Sequence, residues 1–178
     1  MRIPRLGVIA LMAALVVAGT TVALQTDVVA APAAAQGIRK LDAYIDLPAG
    51  VWTDTPLQVT LPDAGTYTID ADVRGRLDGV PPFNTFITAR LFDVTAGAPV
   101  PDSERLVDQV IDVNPGNART GSNATAPIDQ LISVGKRTVI RLQAIRVDAT
   151  GTAQIAQIYS DGYGRTTLRF SRAVEPGR

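Results

Sequence analysis

No cysteine and no histidine occur anywhere in the chain. The first absence rules out disulfides, which an exported domain could otherwise use, and with them CxxC redox chemistry. The second rules out Ser-His-Asp and Cys-His catalysis, and together they remove most zinc sites. Lysine is confined to Lys40 and Lys136, each beside an arginine, which fits a solvated strand edge better than Schiff-base chemistry. Glutamate is confined to Glu104 and Glu175. One lies in a Pro-containing loop and the other in the C-terminal tail, and neither is placed for the raised pKa of a glycosidase acid. No charge of one sign dominates: 17 basic residues balance 17 acidic ones, without clustering. A nucleic-acid binder would show a basic face, and anionic membranes would demand the same.

What is present begins with an export pattern. Arg2 and Arg5 precede an uncharged apolar run over residues 6–18, which ends among small residues. Thirteen helical residues span only ~20 Å, short of a ~30 Å bilayer core. The run therefore reads as a secretory signal rather than an anchor, with no stable membrane span after cleavage. Cleavage is expected after Ala23 or after Ala35. The first choice leaves residues 24–37 as an Ala/Pro-rich leader. No cysteine follows the run, so a lipoprotein route is excluded, and Arg2 and Arg5 are not adjacent as a twin-arginine signal requires. Residues 1–35 are thus expected to be signal and leader, and residues 36–178 one domain, secreted or extracellular, of a size able to bury its own core. The scarcity of Lys beside abundant Ala, Asp, Arg and Thr points to a bacterial source.

After Gly37 the hydrophobic pattern has period two throughout and no helical stretch. Leu41, Ala43, Ile45 and Leu47 alternate with polar positions. So do Leu57, Val59 and Leu61; Tyr67, Ile69, Ala71 and Val73; Ile87, Ala89 and Leu91; and Ile140, Leu142 and Ala144. Arg74-Gly75-Arg76 reads as a turn, Asp78-Gly79 as a break, residues 114–125 as a long polar loop, and Asp161-Gly162 as a tight hairpin. Residues 85–94 carry aromatics on both faces, as a strand sandwiched or at an interface does. Turns every 8–12 residues predict an all-β, two-sheet antiparallel β-sandwich, jelly-roll-like, with eight to nine strands.

Three segments add a resemblance. Gly65-Thr66-Tyr67-Thr68-Ile69, followed by Asn84 and Ala89-Arg90-Leu91, resembles a glycine–tyrosine strand opening. Residues 135–144 (GKRTVIRLQA) resemble a penultimate long strand entered from a glycine turn. Ser160-Asp161-Gly162-Tyr163-Gly164 into Thr166-Thr167-Leu168 resembles a closing hairpin. In this order they resemble the complement globular-head and tumour-necrosis-factor-like jelly-roll superfamily over residues 40–172. The closing Phe-Gly-Phe element and the aromatic-rich core of its animal members are missing, and no Gly-x-y stalk precedes the domain. The resemblance implies homotrimers packed through one sheet face, and binding rather than catalysis.

Candidate site residues are few. Asp70 and Asp72 share a strand face and could hold a hard cation such as calcium with Asp78 or Asn84; the same spacing describes a solvated face. Asp161 reads as a turn former, with ion binding as its alternative. No loop has EF-hand spacing. Trp52, Tyr159 and Tyr163 could form a sugar-stacking platform, although Trp52, after Gly50, equally reads as a core cap. No catalytic residue and no cofactor is expected. The expected function is a secreted, non-enzymatic structural or binding module that self-associates. The alternatives are a carbohydrate-binding jelly roll and an Asp-dependent hydrolase.

Overall fold

The computed structural model of the protein describes residues 35–173. The apolar run, the Ala23 cleavage site and Glu175 lie outside those residues. Every regular element among them is a β-strand. In chain order these are β1 Gln36–Lys40, β2 Tyr44–Asp46, β3 Thr53–Leu61, β4 Gly65–Gly79, β5 Phe83–Asp93, β6 Ala98–Pro99, β7 Arg105–Asp112, β8 Thr120–Val134, β9 Thr138–Thr150, β10 Ile155–Tyr159 and β11 Thr167–Arg172. All ladders between them are antiparallel. They form a six-stranded sheet (β1, β2, β4, β8, β10, β11) and a five-stranded sheet (β3, β5, β6, β7, β9).

Three pairs of short strands lie end to end and act as single ranks. β10 and β11 both run along one edge of β4, opposite Gly75–Asp78 and Tyr67–Asp72 respectively. β2 and β1 continue that arrangement on the far side of β10 and β11. β6 and β7 share one edge of β5. Eight ranks result. Counted along the chain, the six-stranded sheet has the order first, eighth, third, sixth, and the other sheet second, seventh, fourth, fifth. Every consecutive pair except the fourth and fifth therefore changes sheet. This double Greek-key order defines the jelly roll. The expected eight to nine strands correspond to the eight ranks, three of which are broken.

Alternation explains which side chains fill the space between the sheets. Tyr67, Ile69, Val73 and Leu77 from β4 meet Ile87, Ala89 and Leu91 from β5 and Ile140, Leu142 and Ala144 from β9, all fully buried. Each large aliphatic removed from water here contributes ~1.5–3 kcal/mol, which is how a cysteine-free domain of this size holds together.

Five expectations need correction. Arg74-Gly75-Arg76 is not a turn: it continues β4, with Gly75 facing inward. A Cβ on Gly75 would stand 2.9 Å from Val107 Cγ1, so the glycine is there for close packing against β7. The polar segment 114–125 is loop only to residue 119, because β8 starts at Thr120 and pairs with β4 over its whole length. Gly37 lies within β1 rather than in a leader. Residues 41–47 are not one strand; Leu41 and Leu47 are buried, but the chain leaves the ladder over residues 41–43 and rejoins it as β2 at Tyr44. Asp161-Gly162 does not close a hairpin, since β10 and β11 pair with β4 and not with each other.

One end of the sandwich interior is polar. Arg146 and Asp148 follow Ala144 on the inward face of β9 and pair at 3.2 Å, with Thr85 Oγ1 donating to Asp148 Oδ1 at 2.7 Å. The Arg146 Nε is buried without a partner. Removing one member of such a pair strands a charge, whereas replacing both by apolar residues does not. Asp148→Ala should therefore cost ~3 kcal/mol in urea unfolding. The double change Arg146→Met with Asp148→Leu should recover most of that loss; additive losses would show that the pair is not coupled.

Candidate functional site

The outer face of the six-stranded sheet carries Thr66, Thr68, Asp70, Asp72, Arg74, Arg76 and Asp78 in a line along β4. Between Asp72 and Gly75 the neighbouring rank breaks: β11 ends its pairing and β10 begins, and the chain between them, residues 160–166, loops out over the sheet. The backbone N–H of Arg74, left without a ladder partner at this break, donates to Thr166 Oγ1 at 3.0 Å. Thr166 Oγ1 in turn donates to the Tyr159 carbonyl at 2.8 Å.

The Arg74 side chain closes the same gap from above. It forms an ion pair with Asp161 and donates to the Gly164 carbonyl at 2.6 Å and to the Tyr159 hydroxyl at 2.9 Å. Asp161 also accepts the backbone N–H groups of Tyr163 at 2.8 Å and Gly164 at 3.1 Å. Its expected role as a turn former is thus explained, and its carboxylate is saturated by an arginine. Arg74 beside it, with the two amides, holds the Asp161 carboxyl below the usual range, and the same contact holds the Arg74 guanidinium more firmly protonated.

The stacking residues are not brought together. Trp52 lies under Arg90 of β5, with the guanidinium 3.7 Å from its ring centroid, on the outer face of the other sheet. It is half-buried and does not cap the core. Tyr159 is 3% exposed, because the guanidinium groups of Arg74 and Arg76 cover its ring at 4.6 and 4.2 Å. Tyr163, at the tip of the turn, is 97% exposed. Tyr44, cross-strand from Tyr159 and 62% exposed, is the aromatic that sequence reading missed.

Two rows of side chains cross this part of the sheet. One is Thr125 (β8), Arg74 (β4), Tyr159 (β10) and Tyr44 (β2); the next is Asn123, Arg76, Gln157 and Asp46 on the same strands. Gln157 Nε2 donates to Asp46 Oδ1 at 2.7 Å, and Arg76 Nε donates to Asn123 Oδ1 at 3.2 Å. The signal for Arg74 and Arg76 was available in the sequence: Val73, Gly75 and Leu77 continue the inward alternation that the glycine seemed to end.

The proposed cation ligands diverge. Asp72 pairs with Arg169 at 3.0 Å, Asp78 pairs with Arg119, and Asn84 belongs to the other sheet. Asp70 stands directly across the ladder from Asp129. Burial and then this like-charged neighbour raise the Asp70 pKa. Among the described residues no group of three or more carboxylates is arranged to hold a metal ion.

No protein-family model matches the chain. No curated protein matches it. Solved structures give distant likenesses. That of infectious bursal disease virus, Gt strain, is 14% identical, with a TM-score of 0.42 over 81% of this chain and 38% of that one. The same virus's VP2 subviral particle is 14% identical, with a TM-score of 0.41 over 80% and 38%. Eiger TNF from S. frugiperda is 10% identical, with a TM-score of 0.38 over 82% and 96%. The chain spans under two-fifths of the viral chains it matches. At these scores the likenesses decide nothing, and the jelly roll stands on its own strand order.

The two carboxyls should respond to acid with opposite signs. Asp161, with a lowered folded pKa, stabilises above the ordinary carboxylate range of ~4, and that contribution is lost as pH falls through the lowered value. Asp161→Asn should therefore reduce the urea midpoint at pH 7, with a gap to the parent protein that closes in strong acid. Asp70, with a raised pKa, is unfavourable when ionised. Asp70→Asn should raise the midpoint at pH 7 and lose its advantage below pH ~4. Midpoints measured from pH 2 to 8 check both.

Proposed function

We propose that this chain is an exported, non-enzymatic jelly-roll module that works through its surfaces and associates with further copies of itself through the outer face of the five-stranded sheet. The observation that carries the reading is a cluster of apolar side chains on three adjoining ranks of one outer face. The outer face of the six-stranded sheet is polar or charged all along β4, and its exposed apolar side chains, Ile38 on β1, Tyr44 on β2 and Leu131 on β8, stand apart from one another. The opposite outer face presents Leu106 and Ile111 on β7, Phe86 and Phe92 on β5, and Ile145 and Val147 on β9. Leu106 is 55% and Ile111 63% exposed. Contiguous apolar surface on a soluble domain marks an interaction site.

A second copy suits this face because its charges are few: one ion pair, and Arg90, which is stacked on Trp52 and bonded to a neutral side chain. Arg141 pairs with Asp54, Gln143 donates to Asp54 at 2.8 Å, and Arg90 donates to Gln143 at 2.9 Å. The one unpaired cation, Arg90, is spread over the Trp52 ring, and no block of like charge stands on the face to call for an oppositely charged partner. Four ranks at ~4.8 Å spacing and nine residues at ~3.4 Å give ~600 Å² per copy. Two such faces bury ~1,200 Å², the lower end of specific interfaces. A face meeting itself gives a two-fold dimer; the trimer implied by the tumour-necrosis-factor-like resemblance needs a second, different patch.

The non-enzymatic part of the reading is supported by the buried carboxylates. Asp108 accepts from Ser122 Oγ at 2.5 Å and Asp148 is held by Arg146 and Thr85, so both are enclosed and neither is paired with another carboxylate. An Asp-dependent hydrolase would need such a pair facing a cleft; the carboxylates that do face each other, Asp70 and Asp129, stand across β4 and β8 on the outer face of the sheet.

Sedimentation equilibrium of the purified protein should give a mass above that of the monomer, twofold for a dimer and threefold for a trimer. Ile111→Lys combined with Leu106→Glu should weaken association at least tenfold while leaving the melting temperature within a few degrees, since both side chains are exposed in the single copy. A strictly monomeric protein at millimolar concentration would overturn the reading.

A further inference from the structure

We propose a second site, on the outer face of the six-stranded sheet, for an acidic oligosaccharide, with Arg76 taking the carboxylate and Tyr44 stacking on a sugar ring. Arg76 and Arg74 lie two residues apart on one face of β4 but differ in what they are bonded to. Arg74 is saturated by Asp161, Gly164 and Tyr159. Arg76 donates only its Nε, to Asn123. Among the described residues, its two terminal nitrogens bond to no protein group and no carboxylate lies within 4 Å. The guanidinium is nonetheless held in place, with its Cζ 4.2 Å from the Tyr159 ring centroid and its Nε bonded to Asn123. A pre-positioned guanidinium with both terminal nitrogens free matches a carboxylate through two parallel hydrogen bonds.

The surface beside it is concave. A hollow of about 400 Å³ is bordered by Arg76, Asp78, Gly121, Asn123 and Ile155. That volume falls within the range of ~300–1,000 Å³ usual for small-molecule clefts. Two features keep the hollow open. A Cβ at Gly121 would lie 2.5 Å from the Leu77 carbonyl oxygen, so no side chain stands there. Asp78 is drawn aside by Arg119, which also donates to Gln154 at 2.7 Å.

A simple anion would use Arg76 alone. The neighbouring groups fit a polyhydroxylated ring better. Asp46 and Gln157, next in the same row, offer acceptors and donors for hydroxyls. Tyr44 exposes an aromatic ring in the adjoining row, two strand spacings or ~10 Å from β4. A ligand touching both Arg76 and Tyr44 is longer than one pyranose, hence an oligosaccharide. Flat aromatic surface with polar groups beside it is the arrangement that reads sugars, whose faces are apolar and edges polar. This site is independent of self-association and lies on the opposite sheet.

Calorimetric titration of the purified protein with tetragalacturonate, alginate, hyaluronan and chondroitin sulfate oligomers tests it, against a neutral galactose tetramer, inorganic phosphate and poly-L-glutamate. At least one acidic oligosaccharide should bind at millimolar concentration or below, at least tenfold tighter than the neutral tetramer and the two non-sugar anions. Arg76→Gln should lose at least tenfold and Tyr44→Ala several-fold, with melting temperatures unchanged. Ile111→Lys should bind as the parent protein does, which separates this outcome from the self-association result. Failure of all four acidic oligomers, equal binding of the neutral tetramer, phosphate or poly-L-glutamate, or full affinity in Arg76→Gln would overturn the proposal.

Discussion

The structure depends on how one long strand is paired along its second edge. β4 is 15 residues long, and β8 matches it residue for residue on one side. On the other side no single strand is long enough, so β10 and β11 share the edge and leave a break opposite Arg74. An unpaired backbone N–H at the centre of a sheet costs about as much as a lost buried hydrogen bond, ~1–3 kcal/mol. Thr166 accepts that N–H, and the Arg74 side chain ties down the loop that supplies Thr166. The outer ranks follow the same break. The N–H of Leu41, the first residue past β1, reaches Thr166 O, and residues 41–43 leave the ladder before β2 takes up β10, so the gap between β1 and β2 echoes the one between β11 and β10.

Both sheets supply one face to a common core, and the outward positions of their long central strands differ. Along β4 the outward positions hold charge and threonine, with the charges largely paired across strands, as in Asp72 with Arg169. Along β5 the outward positions are Asn84, Phe86, Thr88, Arg90 and Phe92, and the two aromatics have no role in the core. Half-buried aromatics on an outer face are costly for a free monomer to keep in water. That cost is removed when the face is covered, which is the physical content of the asymmetry.

The architecture was legible because alternation is a local signal. Tyr67, Ile69, Ala71 and Val73 read as one buried face from spacing alone, and they are buried. What failed was punctuation. Gly75 reads as a turn because glycine breaks strands more often than it sits inside them, yet here it continues the strand, and a Cβ on it would stand only 2.9 Å from Val107 Cγ1 on the opposite sheet. Pro127 and the polar run before it masked the first half of β8, where an edge strand tolerates both. Asp161-Gly162 looked like a hairpin because the local chemistry of a turn is the same whether or not the flanking strands pair with each other. These errors concern contacts distant in sequence, which no local pattern encodes. The candidate site suffered for the same reason: Tyr44 becomes meaningful only when β2 is set beside β10, and Tyr159 loses its availability only when Arg74 and Arg76 cover it.

Arg74 and Arg76 show how the same residue type on one strand face divides into structure and surface. Both guanidinium groups rest on Tyr159, so neither is free to swing. Arg74 stands opposite the break in the neighbouring rank, where carbonyl and carboxylate groups of the looped chain converge on it. Arg76 stands opposite Gln157, within the intact ladder, where backbone groups are already paired with each other and none is left to accept from it. The difference is therefore set by topology and not by the arginines themselves. Where the edge of β4 is broken the guanidinium completes the sheet, and one step along, where the edge is whole, it remains an oriented cation facing water.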